Sequence, residues 1–127
     1  MIIPRIYFCE TQKYTTWVGM QELSKAEEIV LLAIWRVGQN AYGVTIRKQI
    51  ERDSGRDYTY GTLYGLLRQL AFKGFVRKRL GDPTPKKGGR RKTYFDLTQE
   101  GKQALKEAIQ LHRRVWKDLD EWFFDKA

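Results

Sequence analysis

The sequence predicts a mainly α fold with a small β wing, closed by a long C-terminal helix. Three observations predict it. Apolar residues recur at helical spacing in four segments, each opened by a capping residue or closed by glycine. Two β-favouring runs, 75–80 and 93–97, flank a loop rich in Lys, Arg, Gly and Pro. Charge is also concentrated. The stretch 58–97 holds ten Lys and Arg against two Asp, so it carries +8 of the chain's +9. The organisation expected is an N-terminal extension (1–20), a helix-and-wing domain (21–97) and a C-terminal helical segment (98–127).

With 127 residues, 42% of them hydrophobic and 13% aromatic, the chain suits one packed domain rather than a disordered one. So small a core gains from self-association. An isoelectric point near 9.8 asks for an anionic partner, nucleic acid or an anionic membrane surface, unless it is only a solvated basic surface. Cys9 is the lone cysteine, so no intrachain disulfide forms, which fits a reducing cytoplasm. One Cys and one His make no zinc site, and no apolar run reaches the roughly 18 residues of a membrane span. No nucleophile–base pair, phosphate loop or dinucleotide fingerprint is present, so an enzyme is not expected and no cofactor is implied.

Residues 1–20 mix β-favouring Tyr7-Phe8 and Tyr14–Val18 with the breakers Pro4 and Gly19. They read either as an arm or as a mis-called start ahead of Met20. Next comes a helix over 24–37. Ser24 with Glu27 makes a capping box, and Ile29–Trp35 is apolar on every face, so this is the central core helix with Trp35 inside it. A more polar helix, 42–54, carries Val44, Ile46 and Ile50 on a narrow stripe and ends at Gly55.

The third helix, 59–73, has Thr59 as N-cap and Leu63, Leu66, Leu67 and Leu70 as its inner stripe. Its other faces hold Tyr60, Gly61, Thr62, Tyr64, Gly65, Arg68 and Gln69. Each interior glycine costs about 1 kcal/mol relative to Ala, and such a cost has a packing or functional reason. Gly61 and Gly65 are four apart, hence on one face that a partner could approach closely. The twelve residues 81–92 between the strand candidates are too many for a tight hairpin. They carry Lys86, Lys87, Arg90, Arg91 and Lys92. Three helices followed by a long basic hairpin make a winged helix-turn-helix.

The last helix is expected over 98–124. Thr98 is its N-cap, but the third helical position is Gly101, so the capping box is incomplete. Leu105, Ala108, His112, Val115, Leu119 and Trp122 step at coiled-coil spacing, and Ile109, Trp116 and Phe123 widen the stripe. Lys and Arg balance Asp and Glu over 98–127, six against six, so membrane binding is not expected. So wide an apolar face needs the same helix of a second subunit, with His112 at the interface.

The order of motifs resembles the PadR-like transcriptional regulators. It is carried by Leu23-Ser24, Ala41-Tyr42-Gly43, Tyr60-Gly61-Thr62-Leu63-Tyr64, Lys73-Gly74-Phe75-Val76, Gly89–Phe95 and Leu97–Gly101. The resemblance implies a dimeric winged-helix repressor, with the last helix as dimerisation element and often a small-molecule effector near the dimer interface. Two positions depart from the family's pattern: Gly65 stands where proline is common, and Ala71 where an acidic residue is common. In a drug-sensing branch of the family a tryptophan on the last helix stacks on flat ligands. Here the corresponding position is His112, with Trp116 one turn later, which argues against multidrug sensing.

The reading is therefore a sequence-specific regulator of double-stranded DNA that binds a pseudo-palindromic operator as a homodimer. Tyr42, Thr59, Tyr60, Thr62, Tyr64 and Arg68 would face phosphates and base edges, Arg68 as the base reader. Lys86, Lys87, Arg90, Arg91 and Lys92 would supply the salt-sensitive phosphate contacts. The alternative is a winged-helix module for protein or RNA, with Gly61 and Gly65 seating the partner.

Overall fold

The computed structural model describes residues 22–81 and 91–119, with Phe123 and Asp125. The readings for the extension 1–20, for Lys86, Lys87 and Arg90, and for Trp122 lie outside the described residues. The elements run α1 (Lys25–Val37), a 3-10 turn (Gly38–Asn40), α2 (Gly43–Ser54), α3 (Tyr60–Phe72), β1 (Val76–Leu80), β2 (Thr93–Leu97) and α4 (Gln99–Val115). A mainly helical chain with a small antiparallel wing is what the sequence predicts.

The capping box of α1 is formed. Ser24 Oγ accepts from the Glu27 N–H at 3.1 Å, and the Ser24 N–H donates to the Glu27 carboxylate at 2.9 Å. Glu27 has a second task that spacing did not reveal. It is 3% exposed, and Lys73 Nζ, just past α3, lies 2.9 Å from both its oxygens. Burial alone would raise its pKa. The hydrogen bonds from Lys73 and Ser24 outweigh burial and hold Glu27 below the usual carboxylate range. This pair ties the start of α1 to the end of α3.

Val30, Leu31 and Ile34 of α1 pack against Ile46 and Ile50 of α2, Leu63, Leu67 and Leu70 of α3, Phe75, Phe95 and Leu105 in one core. In the wing, Val76 pairs with Leu97 and Leu80 with Thr93. The outer edge of β2 is also taken. Phe95 N–H donates to the Ala41 carbonyl at 2.8 Å, and Tyr42 bridges Tyr94, so the wing is fastened to the start of α2. At α4, Thr98 Oγ1 accepts from Gly101 N–H at 3.0 Å and donates to the Gly74 carbonyl at 2.6 Å. A Cβ on Gly101 would run into the Phe75 carbonyl, which explains why the capping box lacks its third-position side chain.

Two expectations are corrected. The last helix does not run on unbroken from Gln99 as expected. α4 ends at Val115, Trp116 N–H caps it on the His112 carbonyl, and Asp118 takes a left-handed backbone, φ 67°. Aspartate tolerates that conformation, and its charge opposes the negative C-terminal end of a helix. Leu119 therefore lies beyond α4, although Phe123 and Asp125 are again helical. Trp35 is not in the core. It is 60% exposed, because the buried side of α1 is filled by Val30, Leu31, Ala33 and Ile34 and Trp35 stands off that side.

Candidate nucleic-acid interface

Thr59 opens α3 by accepting from the Thr62 N–H at 3.1 Å, and its hydroxyl also donates to the Thr62 hydroxyl at 3.0 Å. Both threonines thus serve the helix start first, while remaining at the surface. Tyr60 and Tyr64 stack one turn apart, ring centroids 6.4 Å. Tyr64 also lies against Phe95 of the wing at 6.5 Å, and its hydroxyl covers Gly43 so closely that a side chain there would collide with it. Gly61 and Gly65 have open space where a side chain would stand, apart from the Thr59 hydroxyl 3.9 Å from the former. Their close-approach face is therefore not filled by any of the described residues.

The wing supplies the other wall. Arg79 on β1 bonds Asp96 at 2.9 Å and the Gln39 carbonyl at 2.9 Å, and lies over the Tyr94 ring at 4.8 Å. Lys92 sits 4.4 Å from the centre of the Tyr42 ring, whose edge meets Tyr94 at 5.6 Å. Tyr42 thus braces the wing and steers Lys92. Between α2, α3 and the wing lies a cleft of about 520 Å³, into which Tyr42, Tyr64, Arg68, Lys78, Arg91 and Lys92 face. Among the described residues none of those four cations is ion-paired with a carboxylate, whereas Arg36, Arg47, Lys73 and Arg79 all are.

The structure thus brings Tyr42, Tyr64, Arg68, Arg91 and Lys92 to one cleft, with Tyr60 stacked on Tyr64 beside it, whereas Thr62 lines a separate groove with Gly61 and Gly65. Two residues were missed in the sequence. Lys78 belongs to the cleft, but within a run of Arg and Lys only strand register separates it from its neighbours. Arg47 reads as a solvated helix residue, yet its Nε donates to the Tyr58 carbonyl at 2.7 Å. Its second nitrogen bonds Asp57 at 2.7 Å, and its guanidinium covers Tyr60 at 4.8 Å. It fastens the turn that launches α3.

A second surface lies across the molecule. Leu32, Trp35, Leu105 and Ile109 line a cleft of about 440 Å³ between α1 and α4. The predicted interface stripe divides here. Leu105 is buried in the chain's own core, and Ala108 is half-buried. His112 Nε2 lies 2.7 Å from Glu28 of the chain's own α1. Ile109, Val115, Trp116, Leu119 and Phe123 are exposed, and so is Leu111, which the stripe did not include.

The sequence matches the Transcriptional regulator PadR-like family over residues 30–107, well over half of its length. The chain belongs to that family. No curated protein matches it. A PadR family transcription regulator from Clostridium difficile R20291 shares 26% identity at a TM-score of 0.60, covering 76% of this chain and 97% of that one. A PadR-like regulator from Bacillus cereus ATCC 14579 has 18% identity and a TM-score of 0.64, covering 77% and 90%. One from Eggerthella lenta DSM 2243 has 22% identity and 0.59, covering 77% and 83%. The last two speak to the fold alone. This PadR-like chain is thus a transcriptional regulator and not an enzyme. Among its described residues no helix is long and apolar enough to cross a membrane.

Proposed function

We propose that this PadR-like regulator is a dimeric repressor that binds a pseudo-palindromic duplex operator in the cytoplasm. One observation carries the reading: Arg68, Lys78, Arg91 and Lys92, free of carboxylate partners, converge on a cleft that joins α3 to the wing. Unpaired cations lining one concave wall suit a polyanion that α3 can enter through its major groove. Arg68 reads a base edge, and Tyr42, Tyr60, Thr62 and Tyr64 hold phosphates or sugars. Lys86, Lys87 and Arg90 extend the wing's phosphate contacts. Dimerisation uses the exposed apolar residues of α4 together with the exposed Trp35 of α1. The α1/α4 cleft beside them is where a small-molecule effector would act.

The test is a salt titration on duplexes selected from a random pool. Replacing Arg91 and Lys92 with Ala should weaken specific and non-specific binding alike and flatten the salt slope by about two units. Arg68→Ala should instead cost about 1–3 kcal/mol on the selected duplex only. An unchanged slope removes the wing from the interface. If no duplex is retained at low salt, the protein- or RNA-binding module is the better reading.

A further inference from the structure

Phe72, the last residue of α3, is 90% exposed. It follows Gly65 by seven residues and Arg68 by four, so at 3.6 residues per turn it stands on the same outer face as both. An open groove runs along that face past Gly61, Gly65, Arg68, Gln69 and Phe72. The two glycines present bare backbone there, with no side chain of the described residues filling the space. The face is thus flat at its start, cationic at its middle and aromatic at its end. The cation of this strip, Arg68, has no carboxylate partner among the described residues, which favours a polyanion as the occupant. A groove edge in duplex DNA meets all three features. It accepts a close backbone, offers guanine acceptors to Arg, and carries one apolar group, the C5-methyl of thymine.

We infer that Phe72 is a specificity-determining residue that contacts a thymine methyl in each half-site. The inference rests on the DNA-binding reading above. Four residues of helix rise about 6 Å. That is roughly two base steps at 3.4 Å each. The thymine therefore lies within about two base pairs of the guanine that Arg68 reads.

The experiment uses the full chain and the duplex selected from a random pool. Each thymine is replaced in turn by uracil, which removes only the methyl, and binding is measured for the wild type and for Phe72→Ala and Phe72→Leu. For the wild type, one symmetric pair of uracils should weaken binding about fourfold per half-site, the worth of one buried methyl. Phe72→Ala should be weaker on thymine by a similar factor and indifferent to uracil at that pair, while Phe72→Leu keeps part of the discrimination. Equal thymine-to-uracil ratios for wild type and Phe72→Ala overturn the inference while leaving DNA binding intact. A change in sedimentation of Phe72→Ala without DNA also overturns it, placing Phe72 in a protein contact. Failure of the wild type to retain any duplex overturns this inference and the DNA-binding reading together.

Discussion

The α3–wing surface and the α1–α4 surface both stand open to solvent, but they expose different things. Around α3 the outward groups are cations free of carboxylates, Arg68, Lys78, Arg91 and Lys92, with the tyrosines Tyr42 and Tyr64 beside them. Around α4 they are apolar: Trp35, Ile109, Val115 and Trp116 stand exposed, and the charges of 98–127 cancel. A cation gains from a polyanion that stays hydrated at its edges, whereas an exposed indole gains only from being covered. Each surface thus selects its own class of partner. The two are not independent, since Glu28·His112 joins α4 to α1 and Glu27·Lys73 joins α1 to α3.

The sharpest way to break this contrast is to give the apolar surface a charge. Ile109→Glu should leave the helical circular dichroism unchanged, because Ile109 is at the surface of the single chain. Burying an unpaired carboxylate at a subunit contact costs about 3 kcal/mol or more. Dimer affinity measured by analytical ultracentrifugation should therefore fall at least about a hundredfold. A dimer that survives would place the subunit contact elsewhere.

The strut between the surfaces comes next. Lys73→Met leaves Glu27 buried with only Ser24 as partner and should lower stability by about 2–3 kcal/mol at neutral pH in urea denaturation. The pH dependence has a definite sign. Glu27 is held below its ordinary range in the folded chain, so its contribution is complete above that range and is lost as pH falls through the folded value. The gap between wild type and Lys73→Met should therefore narrow as pH drops from 7 toward 3. A constant gap would mean that Glu27 is not held as an anion by Lys73.

Arg47→Gln is the smallest expected change. It removes the guanidinium from Tyr60 and the Tyr58 carbonyl and should cost about 1 kcal/mol of stability. Affinity for the selected duplex should fall about threefold to tenfold through a loosened start of α3, with the salt slope unchanged because the Arg47 guanidinium is taken by Asp57 and the Tyr58 carbonyl. A flattened slope would move Arg47 into the DNA contact itself.

The helices and strands were legible because their signals are local. The capping pair Ser24 and Glu27, the N-caps Thr59 and Thr98, and the leucine stripe of α3 each act within a turn or two of chain. The error at α4 was of the opposite kind. The apolar spacing runs on past Val115, but a stripe reports what a helix would bury and not where the backbone leaves it, and Asp118 turns out of the helix. Trp35 was misplaced because a run that is apolar on every face does not say which faces neighbouring elements cover, and α1 is buried on the side of Val30, Leu31, Ala33 and Ile34.

By itself the sequence determined the order of elements, the concentration of charge in the wing, and α3 as the helix with two glycines on one face away from its leucine stripe. Those properties depend on neighbours a few residues away and on composition. Only the tertiary structure decided which cations are partnered and which are free, because Arg79 finds Asp96 and Lys73 finds Glu27 across strands and helices far apart in the chain. Lys78 and Arg79 are adjacent and chemically alike, yet the pleat sends one to the cleft and the other to a carboxylate.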